Sequence, residues 1–282
     1  MYSVSSSMIS RVRHLLRRLN VKPSRRLGQN FVICERLLDD MISYASVSSD
    51  DVVLEIGAGL GFLTERLAER AAKVIAVELD RRLVEFLYFK FRNSRNVEVV
   101  SGNFLDLELP RFDKVVSNVP FSISSPLTFK LVEYGGFDCA VLTYQKEFAE
   151  RMVASVGSKC YGRLTVTVNF FFNVMLLGSV SRSCFYPSPD VDAAVVKLVP
   201  KGRRCLSDFD LFFLRLVSFL FSQRNRKVRN AVLTYCRSKG LSRDARTNLL
   251  ENLPLREIRV RDLGLDDFLR LASFLRGWLS DG

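Results

Sequence analysis

Val52–Thr64, VVLEIGAGLGFLT, runs from an apolar segment through an acid and three alternating glycines into the start of an amphipathic helix. The apolar run has the composition of a parallel strand buried on both faces, and Leu63, Leu67, Ala68 and Ala71 recur after it at helical spacing. The stretch therefore predicts a strand, a tight turn and a helix. Glycine suits such a turn because it accepts positive φ and lets a ligand reach the backbone with no Cβ in the way. Gly57, Gly59 and Gly61 are placed for both tasks, although a purely structural turn would carry the same residues. A dinucleotide site wants G-x-G-x-x-G, and the place of its third glycine is held by Phe62. Glu55, before the first glycine, and Glu78, closing the next apolar run VIAVELD, are better placed to hold an amino-acid-bearing nucleoside.

Beyond this stretch, apolar runs alternate with helical patterns. Val74–Val77, Val97–Val100, Lys114–Ser117 and Cys139–Thr143 read as strands, separated by helices over Arg81–Phe91, Pro126–Tyr134 and Glu147–Ser155. That alternation predicts a mostly parallel sheet covered on both faces, with ligands beyond the carboxyl ends of the strands. Gly57, Glu78, Asn103 and Asn118 all fall at such ends. Arg163–Phe172 then reads as a helix, and Asn173–Val180 and Ala193–Val199 as the last strands.

Composition narrows the function classes. With 282 residues, 48% of them apolar, the chain can bury one large core and a smaller second unit. The longest apolar stretches, Val166–Val180 and Phe209–Phe221, fall short of the ~20 residues of a membrane helix. The six cysteines form no C-x-x-C pair and His14 is the one histidine, which argues against a zinc site, a secreted disulfide scaffold and histidine-dependent nucleophilic catalysis. No metal is expected.

The net charge of +12 is unevenly spread. Residues 1–34 hold seven Lys/Arg and no acid, residues 201–282 hold seventeen against nine acids, and the middle holds eighteen against twenty-one. Two basic arms flanking a near-neutral centre suit a polyanion, nucleic acid ahead of a membrane surface. The first arm predicts a helix over Ser10–Leu19. It has the look of a transit peptide as well as of an RNA-facing arm, and its unbroken run into RRLGQNF favours the arm. In LGQNF, residues 27–31, the amides Gln29 and Asn30 are placed to reach a polar ligand over the glycine turn; a simple helix cap at Asn30, ahead of the helix predicted over Ile33–Ala45, is the alternative.

Ser117–Phe121, SNVPF, carries the sharpest chemical signal. Asn118 ends a buried strand, and Pro120 stiffens the turn that presents the amide and the carbonyl of Val119. An exocyclic amine on a base is a poor nucleophile because its lone pair is delocalised into the ring. Two acceptors, the Asn118 side-chain oxygen and the Val119 carbonyl, would bind both amine hydrogens and favour a pyramidal nitrogen. Phe121 offers an aromatic face to the base. Further on, two prolines in FYPSPDVD, residues 185–192, fix an extended loop in which Phe185 is placed to form a second wall. After the basic linker 201–204 the pattern turns helical over Phe209–Phe221, Arg229–Lys239, Arg243–Leu250 and Asp266–Leu279. Gln223–Asn230, QRNRKVRN, puts Arg224, Arg226, Lys227 and Arg229 within six residues, a candidate phosphate-binding cluster.

The glycine turn with its following acid resembles the S-adenosylmethionine site of Rossmann-like methyltransferases. Taken in order, LGQNF, VLEIGAGLGFLT, VIAVELD, SNVPF, QKEFAERM, YGRLTV, FYPSPDVDAAVVKLVP and QRNRKVRN resemble the ribosomal RNA adenine N6-dimethyltransferases over residues 20–275, with the leader VKPSRRLGQNF most like the archaeal branch. The resemblance implies an α/β fold, a Rossmann-like methyltransferase sheet over 27–200 between a basic arm (1–26) and a small all-helical RNA-binding domain (201–282). It implies transfer of methyl groups from S-adenosylmethionine to N6 of two adjacent adenosines near the 3′ end of small-subunit rRNA, by a cytoplasmic monomer acting on that RNA or on an immature subunit. Methylation of a large-subunit adenosine, or a non-catalytic nucleic-acid-binding factor on the same fold, are the rival readings. Carried over by position, Asn30, Val32, Gly57 and Glu78 match cofactor residues, Glu78 through the ribose hydroxyls. Gln29, Glu55 and Gly59 join them from the reading above. Asn118 matches the residue between cofactor and target amine, within the catalytic stretch Asn118, Val119, Pro120 and Phe121; Phe121 and Phe185 match the aromatics around the base. Asn103 stands where the family usually has an acid that accepts from the cofactor's adenine amine; it keeps an acceptor oxygen without charge assistance, with Asp106 close by.

Overall fold

The computed structural model describes residues 6–202 and 206–280. Residues 1–5 of the expected arm, and Arg203 and Arg204 of the expected linker, lie outside the described residues. The chain divides into two compact units, Met1–Ala149 with Asn173–Cys205, and Glu150–Phe172 with Leu206–Gly282.

The first unit begins with α1 (Ser6–Arg18), which buries Met8, Val12 and Leu16 in the core. β1 (Phe31–Val32) and α2 (Glu35–Ala45) follow, and then the alternation expected from sequence: β2 (Val52–Ile56), α3 (Phe62–Ala68), β3 (Lys73–Glu78), α4 (Arg81–Phe91), β4 (Val97–Ser101), β5 (Lys114–Asn118), α5 (Ser124–Tyr134) and β6 (Cys139–Gln145). α6 (Lys146–Met152) and α7 (Arg163–Phe171) lead to β7 (Phe172–Val180), the short β8 (Phe185–Tyr186) and β9 (Ala193–Pro200). The large sheet has the order β4-β3-β2-β5-β6-β9-β7. β2 pairs parallel with both β3 and β5, whereas β9 is antiparallel to β6.

β2, β3 and β6 are buried along nearly their whole length, which is why they read as continuous apolar runs rather than alternating ones. β2 is where the strand order reverses, the position at which an open α/β sheet forms its crevice. Gly57 and Ala58 both donate to the Val77 carbonyl (2.8 and 3.1 Å), and Gly102 donates to the Glu78 carbonyl (2.9 Å), so the loops leave their strands still hydrogen-bonded to one another. The buried Ser117 hydroxyl donates to the Ile56 carbonyl at 2.5 Å, keeping β5 and β2 joined at their carboxyl ends.

Two expectations change. The sequence pattern assigns Arg163–Phe172 to the methyltransferase sheet region, but Glu150–Phe172 belongs to the helical unit. α7 is buried almost all round, and Phe170 lies 4.2 Å from Phe213 of α8 (Asp208–Phe221), ring centre to ring centre. A helix apolar on every side needs neighbours on every side, which one sheet face does not supply. α9 (Val228–Ser238), α10 (Arg243–Asn252) and α11 (Leu265–Ser280) complete that unit, with Phe221 stacked on Phe268 and the Tyr161 hydroxyl donating to the Leu263 carbonyl. The basic arm, in turn, is not a separate element: its helix is a core element of the first unit with arginines on the outer face. Among the described residues no helix is long and apolar enough to cross a membrane, and no group of side chains is arranged to hold a metal ion.

Candidate active site

The carboxyl ends of β2 to β5 open into one cavity of ≈360 Å³. The glycine turn forms one side. Gly57 has φ +78°, and a Cβ there would lie 2.9 Å from Pro120 Cγ, so the turn and the SNVPF loop touch at a point that admits only glycine. Lys90 of α4 holds the turn from behind, its ammonium donating to the Leu60 and Gly61 carbonyls (3.3 and 2.8 Å).

Two carboxylates face the cavity. Glu78 accepts from the Gly59 and Leu79 amides at 2.8 Å and from the Asp80 amide at 2.9 Å. Burial still holds its carboxyl above the usual range, against the pull of those three donors. Glu55, 2% exposed, accepts from the Thr64 hydroxyl at 2.6 Å, and burial pushes its carboxyl up to about 8. The folded protein thus holds a proton on Glu55 that the unfolded chain releases near pH 4.5. The stability this contributes is complete below that pH and is lost as pH rises through about 8, at ~1.4 kcal/mol per unit in between. Glu55→Gln should flatten this part of the profile. Urea midpoints of both proteins at pH 5, 6.5 and 8 check it; parallel profiles would show Glu55 already ionised at pH 5.

The leader closes the opposite side. Gly28 has φ +65°, and a Cβ there would lie 2.9 Å from the Phe121 amide nitrogen, so the leader backbone rests on the SNVPF loop. β1 pairs antiparallel with β8, Phe31 opposite Tyr186 and Val32 opposite Phe185. The Asn30 carbonyl accepts from the Asn118 side-chain nitrogen at 2.9 Å, and the Asn118 side-chain oxygen accepts from the buried Thr143 hydroxyl at 2.5 Å. The amide of Asn118 is thereby fixed at both ends, with one oxygen lone pair left for a ligand.

A glycine turn without side chains, an acid at the end of β3, apolar walls from Leu60, Phe62 and Leu83, and an amide on the far strand suit a nucleoside carrying an amino acid. The profile of the ribosomal RNA adenine dimethylase family matches residues 20–272. The chain belongs to this family. It is 46% identical to the probable ribosomal RNA small subunit methyltransferase A of Methanopyrus kandleri over 89% of this chain and 91% of that protein, and 40% identical to the Thermococcus sibiricus protein of the same name over 95% and 98%. Among solved structures, it is 34% identical to a dimethyladenosine transferase from Plasmodium falciparum, with TM-score 0.78 over 88% of this chain and 98% of that one. The 23S rRNA methyltransferase ErmE is 27% identical, with TM-score 0.65 over 88% and 100%. As a ribosomal RNA adenine dimethylase family member, the protein is an S-adenosylmethionine-dependent methyltransferase.

Asn30, Val32, Glu55, Gly57, Gly59, Glu78, Asn103 and Asn118, the residues expected at the cofactor, all line this one cavity. Other expectations shift. Gln29 lines the cavity, but its side-chain oxygen accepts from the Ser24 amide (2.8 Å) and its nitrogen donates to Asp80 (3.2 Å), so it anchors the leader to the end of β3. Asn30 caps no helix; α2 has Cys34 at its N-cap. Val119 turns its side chain into the core, and Pro120, Ser122 and Ile123 of the SNVPF loop and its continuation line the cavity, whereas Phe121, expected against the target base, is half-buried outside that lining. Phe185, the expected second wall, is 2% exposed, with Phe121 edge-on to it at 6.3 Å. Side chains alternate along a strand, so the β1–β8 pairing that buries Phe185 leaves its neighbour Tyr186 half-buried, under the Arg13 guanidinium at 5.1 Å. The Asn103 oxygen accepts from the Leu105 amide (3.2 Å) and its nitrogen donates to Asp106 (2.8 Å), a local turn that ties up Asp106.

Thr143 and Lys130 carry no signal in the sequence reading. Lys130 holds the loop after β4 by donating to the carbonyls of Phe104, Leu105 and Leu107, and only the fold brings a lysine 23 residues away onto that loop. In the helical unit the basic cluster is larger than its sequence run. The backbone of 224–229 hydrogen-bonds with 256–261, adding Arg256, Arg259 and Arg261. Lys227 and Arg229 both bind Glu257 at 2.7 Å, Arg226 donates to Gln223, and Arg224 reaches the Ser158 and Lys159 carbonyls at 3.4 Å.

Proposed function

We propose that this protein transfers methyl groups from S-adenosylmethionine to N6 of two adjacent adenosines near the 3′ end of small-subunit rRNA. The observation that carries the reading is the Asn118 amide, fixed by Thr143 and Asn30 beside the glycine turn. Names of relatives at 40–46% identity support the small subunit, whereas likeness to the ErmE protein keeps the large subunit as a second reading.

S-adenosylmethionine supplies a methyl group on a sulfonium, electrophilic without further activation. Glu78 is suited to accept from ribose hydroxyls, and Asn103 to accept from the adenine amine of the donor with the lone pair that Leu105 leaves free. Asn118 Oδ1 and the Val119 carbonyl accept the two N6 hydrogens of the target adenine. That turns the nitrogen lone pair out of conjugation and toward the donor. The methylated nitrogen is acidic enough to lose its proton to water, so no general base is required. Orientation and fixed dipoles account for the acceleration. Arg226, Lys227 and Arg229, with Arg256, Arg259 and Arg261, supply phosphate contacts, as do the outer arginines of α1. This reading takes the protein to be a cytoplasmic monomer, in keeping with its archaeal-type leader.

Thr143 is a positioning residue in this scheme. Thr143→Val should lower kcat about 5–10-fold, the cost of one hydrogen bond, with KM for the donor unchanged and Thr143→Ser close to wild type. An unchanged kcat in the valine variant would show that the Asn30 tie alone orients Asn118. Replacing Arg226 and Arg259 together by Ala should weaken RNA binding and reduce the slope of log K against log salt by about 2. An unchanged slope places the phosphates elsewhere.

Incubation with labelled donor and either small- or large-subunit RNA, followed by primer extension, tests the assignment. Stops at two adjacent adenosines in the small-subunit RNA are expected; label in the large-subunit RNA alone selects the second reading. Donor binding with no transfer to naked RNA or to immature subunits would favour a non-catalytic factor.

A further inference from the structure

Two cysteines from distant parts of the chain meet behind the wall of the active site. Cys34 follows β1 and Cys184 precedes β8; neither has exposed surface, and their sulfurs lie 2.8 Å apart. The β1–β8 pairing sets the backbones at ladder distance, with the Ile33 amide donating to the Cys184 carbonyl at 2.8 Å. Continued by one residue, that register sets Cys184 opposite Ile33, so Cys34 is its diagonal neighbour across the ribbon, and the two side chains already meet at their sulfurs. Forming the bond requires the sulfurs to close from 2.8 Å to ~2.0 Å. The methyl-transfer scheme uses neither sulfur.

We propose that Cys34 and Cys184 form a redox-convertible pair, oxidised to a disulfide by a low-molecular-weight disulfide. One cysteine thiolate attacks a sulfur of the reagent and expels one reagent thiolate. The second cysteine thiolate attacks the resulting mixed disulfide at the protein sulfur and expels the other. The two cysteine protons pass to the two departing thiolates, so the protein loses two hydrogens and the reagent is reduced to two thiols.

Burial sets the rate. It lifts the Cys34 thiol to about 12, with the Cys184 sulfur adding to the shift, so thiolate is scarce while the strands are paired. β1 and β8 contribute only two residues each to their ladder, and opening that ribbon is the route by which a reagent reaches either sulfur. The crosslink would bridge positions 150 residues apart, which favours a large loss of freedom in the unfolded chain. It would also tie β1, whose Phe31 and Val32 line the cavity, to the strand whose Phe185 backs Phe121. Exposed Cys160 has no sulfur partner among the described residues and should stop at a mixed disulfide.

The test uses the full chain incubated with oxidised glutathione, in buffer and in urea below the unfolding transition, then acid-quenched, alkylated and digested without reduction. A Cys34–Cys184 linked peptide, a mass loss of roughly 2 Da in protein carrying both Cys160→Ser and Cys205→Ser, faster formation in urea and a Tm rise of at least ~4 °C are expected. Cys34→Ala and Cys184→Ala proteins, each monitored by circular dichroism for folding, should lack both the link and the rise. Glutathione adducts on Cys34 or Cys184 without a link, or both thiols still fully alkylated after the urea incubation, would overturn the proposal. Neither readout depends on methyl transfer, so failure here leaves the assigned reaction untouched, and the reverse holds as well.

Discussion

Asn118→Ala protein should fold, bind rRNA within about threefold of wild type and transfer methyl groups at least ~10²–10³ times more slowly, the cost of one fixed dipole aimed at the reacting group. Alanine removes the oxygen proposed to accept from the target amine, and the side-chain nitrogen that ties Asn118 to the Asn30 carbonyl of the leader. Both losses act on the chemical step. The proposed phosphate contacts do not involve Asn118, so ground-state RNA affinity should hardly change. Single-turnover transfer at saturating donor, set beside filter binding of the same RNA, separates the two quantities. Wild-type dimethylation by the alanine protein would falsify the role given to Asn118 and with it the reading of SNVPF.

Gly57→Ala should be nearly as damaging for a different reason. Its φ of +78° strains any L side chain, and the added Cβ would meet Pro120 Cγ at 2.9 Å and Cδ at 3.1 Å. Relief requires either the glycine turn or the SNVPF loop to move, and the proposed reaction assigns the donor to the first and the target amine to the second. A stability loss of about 1–3 kcal/mol, seen as a lower Tm, should accompany a fall of more than ~10²-fold in kcat/KM for the donor. Gly178→Ala is the control, because nothing lies within 4 Å of its added Cβ and its φ is unstrained. Equal behaviour of the two variants would mean that the contact between turn and loop tolerates displacement.

The strands and helices around Val52–Thr64 were legible because burial on both sides of the sheet leaves unbroken apolar runs, and α4 begins and ends where Arg81–Phe91 predicts. Glycines at strand ends and the SNVPF stretch were legible because backbone conformation and acceptor geometry admit few residue types. Phe185 was not. Its exposure depends on which way a two-residue strand faces, and that is decided by pairing with Phe31–Val32, more than 150 positions earlier in the chain. The helix α7 is legible as a helix, but the unit it belongs to is not, since an apolar pattern states that a helix must be buried and not against what.

By itself, then, the sequence determined the order of the parallel strands' elements, the glycine turn at the end of β2, the Asn118 amide at the end of β5 and the two concentrations of positive charge. Each of these is written in neighbouring residues, where local conformation and local composition are sufficient causes. Tertiary structure alone decided that Thr143 and Asn30 lock Asn118, that Lys130 and Lys90 hold the two loops over the cavity, that Gln29 is an anchor, and that Arg256, Arg259 and Arg261 join the basic cluster. It also brought Cys34 against Cys184. Those contacts join residues far apart in the chain, and hydrogen bonds and sulfur contacts act only over a few ångströms, so no stretch of sequence read alone contains them.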